Sequence, residues 1–125
     1  MTSEAPPAFR LPLSPATFHI LLALAAGEMH GYAIMREVAI LSDGRLSLGP
    51  GTLYGAIKRL LAAGIIEEST RRPDPELDDE RRRYYRISGS GLALLNAEAD
   101  RLTRLVRAAD ERRIGETPVI RLGEL

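Results

Sequence analysis

A mainly α-helical domain with a small antiparallel β-wing, prolonged by one long C-terminal helix, is the fold class this sequence predicts. Three observations predict it. Apolar residues recur at three-and-four spacing in separate stretches bounded by capping residues and glycines. Two short runs rich in β-branched and aromatic residues follow the third stretch. The last stretch holds its apolar spacing for nearly three heptads.

Composition sets the limits. The 125 residues suffice for a single modest core, and 45% apolar with 27% charged residues is the balance of a soluble globular domain. Cysteine is absent, which excludes a disulfide framework and thiolate metal sites. The two histidines, His19 and His30, stand eleven apart and form neither HxxxH nor HExxH, so no zinc motif is present. No catalytic residue, metal or cofactor is expected. The N-terminus carries Glu4, Pro6, Pro7 and Pro12 rather than a basic start followed by an apolar run. The longest apolar run, residues 20–26, is far short of the ~20 residues that span a bilayer. The expectation is a soluble, cytoplasmic protein with no membrane partner.

Element by element, residues 1–13 are rich in Pro and Ala and read as a loose arm. Ser14-Pro15 starts the first helix, because a serine N-cap supplies an acceptor and proline loses nothing at the first helical position. It runs to about residue 26, with Phe18, Leu21, Leu22 and Ala25 as its apolar stripe and Gly27 as its stop. A second helix is expected over 31–41 on Tyr32, Met35, Val38 and Ala39, with Arg36 and Glu37 outward, followed by a turn-rich connection over 42–49. The third begins at Pro50 and ends near Gly64. Leu53, Ile57, Leu60 and Leu61 share one side with Tyr54 at its flank, and Gly51, Thr52, Gly55, Lys58, Arg59 and Ala62 share the other. Residues 65–70 and 81–87 read as strands joined by a long loop. The last helix, over 88–113, carries Leu92, Leu95, Ala99, Leu102, Val106 and Ala109 at heptad spacing. A helix of ~22 residues is ~33 Å long, more than so small a body covers, so this seam calls for a second copy of the chain. Residues 114–125 read as a tail.

Three helices followed by a two-stranded ribbon is the winged helix-turn-helix layout, in which the third helix is offered to a DNA major groove and the ribbon flanks it. A groove ~12 Å wide admits one helix, read by a few side chains near its N-terminal end. Gly51 and Gly55 each forgo ~1 kcal/mol of helix propensity, which makes sense where backbone must approach a partner closely. The net charge of zero, from 17 basic and 17 acidic side chains, means that cations must be segregated for such a partner. Two places segregate them. The outward face of the third helix carries Lys58 and Arg59 and no carboxylate. The wing arms carry Arg71, Arg72, Arg81, Arg82 and Arg83, offset by five carboxylates over 74–80. Gly51, Thr52, Tyr54, Lys58, Arg59 and these five arginines are the candidate contacts to double-stranded DNA, Tyr54 through a phosphate. The plainer readings are a solvated charge pair on the helix, a core-edge tyrosine, and internal ion pairing in the wing, where exposed pairs are worth little.

Three motifs carry a resemblance. His30-Gly31-Tyr32-Ala33-Ile34 resembles the HGYxI signature of the PadR family. Gly49-Pro50-Gly51-Thr52-Leu53-Tyr54, with Leu60 and Gly64-Ile65-Ile66, is similar to its SPGTLYxxLxxLxxxGLI recognition-helix motif. Arg83-Tyr84-Tyr85-Arg86-Ile87-Ser88 with Gly91 resembles its YYxLTxxG wing strand. Gly49, Ile57 and Ser88 depart mildly, and the acidic wing tip departs more. The resemblance implies a short-tailed homodimeric repressor whose C-terminal helix packs on its partner, inverted-repeat DNA sites, and often release by a small-molecule effector. The domain plan is then a 14–87 DNA-binding unit and an 88–113 dimerisation helix. The alternative is a winged helix used as a protein-interaction module without DNA binding, with which the neutral charge is compatible.

Overall fold

The computed structural model describes residues 9–70 and 83–113. Among them the elements run α1 (Pro15–Ala25), β1 (Met29–His30), α2 (Gly31–Leu41), α3 (Pro50–Ala62), β2 (Ile66–Glu68), β3 (Tyr84–Ile87) and α4 (Gly89–Glu111). The fold class is as expected, mainly helical with a small antiparallel sheet. That sheet has three strands in the order β1-β3-β2, because β1 pairs Met29 with Tyr85 and His30 with Tyr84. β2 pairs antiparallel with β3 from Ile66 opposite Ile87 to Glu68 opposite Tyr85.

The helix starts follow local chemistry. Ser14 accepts the Thr17 N–H at 3.1 Å at the head of α1, and His30 Nδ1 accepts the Ala33 N–H at 3.2 Å at the head of α2. Ser88 accepts the Gly91 N–H at 3.1 Å while its hydroxyl lies 2.6 Å from the Gly64 carbonyl oxygen, so α4 is stapled to the end of α3. Gly64, at φ 74°, takes the left-handed conformation that lets the Ile65 N–H close back onto the Leu60 carbonyl and turns the chain into β2. At Gly91 the need is space: a β-carbon there would collide with the Ile65 carbonyl oxygen.

One core joins all of this. Ile20, Leu21, Leu24, Ile34, Val38, Leu53, Leu60 and Ile66 are essentially inaccessible, each contributing ~1.5–3 kcal/mol by leaving water. The structure departs from expectation in α1 and in the residues before it. The buried residues of α1 are Thr17, Ile20, Leu21, Ala23 and Leu24, whereas Leu22 is 37% exposed and Ala25 faces out. The run from Ile20 to Leu24 is apolar at every position, so spacing alone does not choose its inward side. Residues 9–13 are not loose: Phe9 and Leu13 are buried in the core, and the Leu13 N–H donates to Glu98 Oε2 at 2.9 Å. The rest of the expected arm (1–8), the expected loop over 71–80 with the first two residues of the expected second strand, and the expected tail over 114–125 lie outside the described residues.

α4 leaves the body part-way along its length. Leu95 and Glu98 are buried, whereas Leu92 and Leu105 are 44% and 54% exposed, Ala99 and Ala109 face solvent, and Leu102 and Val106 are half-buried. Leu95 is therefore a correction to the expected seam, because its own subunit already covers it. The row Leu95, Leu102, Ala109 passes from buried to exposed as the helix runs off the body, and Leu105 joins its uncovered side.

Candidate nucleic-acid interface

The outer face of α3 is set by its inner one. Leu53, Ala56, Ile57 and Leu60 are buried, at the three-and-four spacing of a single helix stripe. The opposite side must then face away, and Gly51, Thr52, Lys58, Arg59 and Ala62 are all exposed, with Gly55 half-exposed between them. α3 holds no Asp or Glu. Among the described residues no carboxylate pairs with Lys58 or Arg59, nor with the exposed Arg36 of α2 and Arg45 of the connection to α3.

The start of α3 differs from the other three helix starts. α1, α2 and α4 are capped by side chains of Ser14, His30 and Ser88, but Gly49 gives α3 no side-chain cap hydrogen bond. The first-turn N–H groups of α3 stand at an exposed helix N-terminus where an anion is favoured. The connection that delivers the chain there is ordered. Ser42 Oγ accepts the Leu46 N–H at 3.0 Å, Asp43 and Gly44 take positive φ, and Leu48 is buried. The result is an open, amide-rich, cationic helix face able to take polyanionic backbone along its length and base edges at its N-terminal turns.

Two expected contacts change role. Tyr54 is half-buried and its hydroxyl oxygen is inaccessible, turned against Gly31 at the head of α2. It does not offer that hydroxyl to a phosphate, because the ring flanks the buried stripe rather than lying opposite it. Arg83, at the foot of the wing, is half-buried with its Nε 3.8 Å from Glu68 Oε2. Its neighbour Arg86 donates to Glu67 at 3.0 Å and lies 3.7 Å from Glu28, which itself accepts from Ser69 at 3.0 Å. These carboxylates, Glu67 foremost, hold the Arg86 guanidinium above its ordinary pKa. The described base of the wing is thus charge-compensated by Glu67, Glu68 and Glu28, whereas the carboxylates over 74–80, with which the plainer reading paired the wing arms, lie outside the described residues. Arg71, Arg72, Arg81 and Arg82 lie outside the described residues.

Residues 20–97 match the transcriptional regulator PadR-like family. This chain belongs to the PadR-like family of transcriptional regulators. It is 35% identical over 89 residues to the transcriptional regulator Rv3488 of Mycobacterium tuberculosis, covering 71% of this chain and 77% of that one. It is 38% identical over 86 residues to an uncharacterized 37.1 kDa protein in a transposon of Streptomyces fradiae, covering 69% of this chain but only 22% of that longer protein. The fold is that of a PadR family transcription regulator from Clostridium difficile R20291, at a TM-score of 0.62 and 20% identity over 82% of this chain and 100% of the other. The PadR-like match ends within α4, so it includes the buried Leu95 and leaves out Leu102, Val106 and Ala109. No helix among the described residues is long and apolar enough to cross a membrane, and no group of His, Asp or Glu among them is placed to hold a metal ion.

Proposed function

We propose that this PadR-like regulator is a homodimeric repressor that binds double-stranded promoter DNA through the outer face of α3. The observation that carries the reading is the exposure of Gly51, Thr52, Lys58 and Arg59 on a helix without carboxylates, beside an N-terminus that no side chain caps. Thr52 and the α3 amides meet base edges and phosphates, Lys58 and Arg59 meet phosphates, and the arginines of the wing arms flank the groove.

The side of α4 that carries the exposed Leu92, Ala99, Leu105 and Ala109 and the half-buried Leu102 and Val106 packs on its symmetry mate. Twofold pairing sets the two α3 helices into successive major grooves ~34 Å apart, on a site of inverted-repeat symmetry. Occupation of such a site keeps polymerase off the promoter, in the cytoplasm where that DNA lies. A small-molecule effector is the third partner in this reading; it acts by changing the spacing of the two α3 helices. No reaction is assigned to the chain.

The test is a gel shift on DNA upstream of the chain's own coding region at about 50 and about 200 mM salt. A retarded band that weakens steeply over that interval is expected. A protein that retards no duplex at either salt, and is instead captured by another protein, reverses the reading in favour of an interaction module.

A further inference from the structure

The two halves of the signature region meet at one contact that the DNA-binding reading leaves without a role. Gly31 has ordinary helical backbone and is buried at the first position of α2, so its lack of a side chain answers to space. A β-carbon at that position would collide with the hydroxyl and ring of Tyr54. The ring comes from the second turn of α3, beside the exposed Thr52 and the half-exposed Gly55. The residue before Gly31 continues the path. His30 caps α2 through Nδ1, pairs with Tyr84 across the sheet, and sets its ring edge-on to that of Tyr84 at 5.4 Å between centroids and 86° between planes. A continuous chain of contacts therefore runs from α3 to the wing strand β3: Tyr54, Gly31, His30, Tyr84.

A helix held only by one apolar stripe is held non-directionally, since hydrophobic burial fixes area rather than angle. Reading bases needs a helix placed to ~0.5 Å and ~10–20°. A rigid ring seated on a bare α-carbon, in an interior packed like a crystal, leaves one discrete arrangement. We propose that Tyr54 is a positioning residue: seated on Gly31 and continued through His30 to Tyr84, it sets the pose of α3 relative to the wing and so governs sequence selectivity without touching DNA. This rests on the DNA-binding reading.

The experiment compares affinity for a duplex enriched from a randomised pool by the wild-type protein with affinity for a shuffled duplex of equal length and salt. The wild type, Gly31→Ala, Tyr54→Leu and the double variant are measured, each well below its own melting temperature. Gly31→Ala is expected to lower the ratio of the two affinities about tenfold, the scale of one lost base contact, while binding to the shuffled duplex stays unchanged. In the Tyr54→Leu background, where the collision is gone, the same change at 31 is expected to have no further effect. Should Gly31→Ala not fold, Tyr54→Leu and Tyr84→Leu, which only remove atoms, carry the test with the same expected loss of selectivity. A purely stabilising contact would shift melting but leave the ratio alone. Folded variants with the wild-type ratio, or single effects that multiply independently in the double variant, overturn the proposal. A wild type that binds neither duplex overturns the DNA-binding reading itself, a distinguishable result.

Discussion

Replacing Glu98 by alanine isolates a contact on which the attachment of α4 depends. Glu98 is 2% exposed, accepts the Leu13 N–H at 2.9 Å, and receives Arg101 Nε at 2.6 Å and Nη2 at 3.1 Å. Leu13 is itself buried, so Glu98→Ala leaves a buried N–H without its acceptor, a loss of ~1–3 kcal/mol. Taking ~2 kcal/mol, the melting temperature of a domain this size falls by about 8 °C. Glu98→Gln keeps an oxygen for Leu13 but loses the charge that Arg101 meets, and is expected to fall between the two. Acid separates the contributions. The hydrogen bonds from Arg101 lower the Glu98 pKa most, burial works against them, and the Leu13 N–H adds to the lowering. A carboxyl with a lowered folded pKa stabilises the native state fully above its unfolded value of ~4.3 and loses that stabilisation as pH falls through the folded value. The gap between wild type and Glu98→Gln, followed by circular dichroism melts, should be complete at neutral pH and close below about pH 4. Equal melting at pH 7, or a gap that widens in acid, refutes the reasoning.

Other consequences are as direct. Gly91→Ala should cost ~1–3 kcal/mol by overpacking against the Ile65 carbonyl, read as a lower urea midpoint with an unchanged slope. Lys58→Ala with Arg59→Ala should weaken binding to all duplexes alike and reduce the salt slope by about 0.9 for each phosphate contact removed; an unchanged slope would place these two side chains away from the DNA. Leu102→Glu, on the uncovered part of α4, should give monomers by light scattering and much weaker operator binding, and a dimer of unaltered affinity would remove that residue from the interface.

Most element boundaries were legible because punctuation is local chemistry. Ser14-Pro15, Gly49-Pro50 and Ser88 each announce a helix start within one peptide unit, and observed α2 coincides with the expected 31–41. The outward face of α3 was legible too, since apolar and small or cationic residues divide cleanly around it. What escaped has a long-range cause. The strand β1 is two residues long and exists only through β3, which lies more than fifty positions further on. The inward phase of α1 was hidden by a run apolar on every side. Glu98 reads in sequence as one more charge on an amphipathic helix; its buried partner Leu13 is 85 positions away. The contact of Tyr54 with Gly31 likewise joins residues 23 positions apart on different helices, and neither residue type announces it.

The most direct measurement is photo-crosslinking from a reactive side chain at position 52, at the exposed start of α3, with position 96 on the exposed side of α4 as its counterpart. Bound to a duplex that it retards in a gel, the protein is expected to crosslink to DNA from 52 and not from 96. Crosslinks from 96 with none from 52 would show that another face meets the DNA and contradict the central claim.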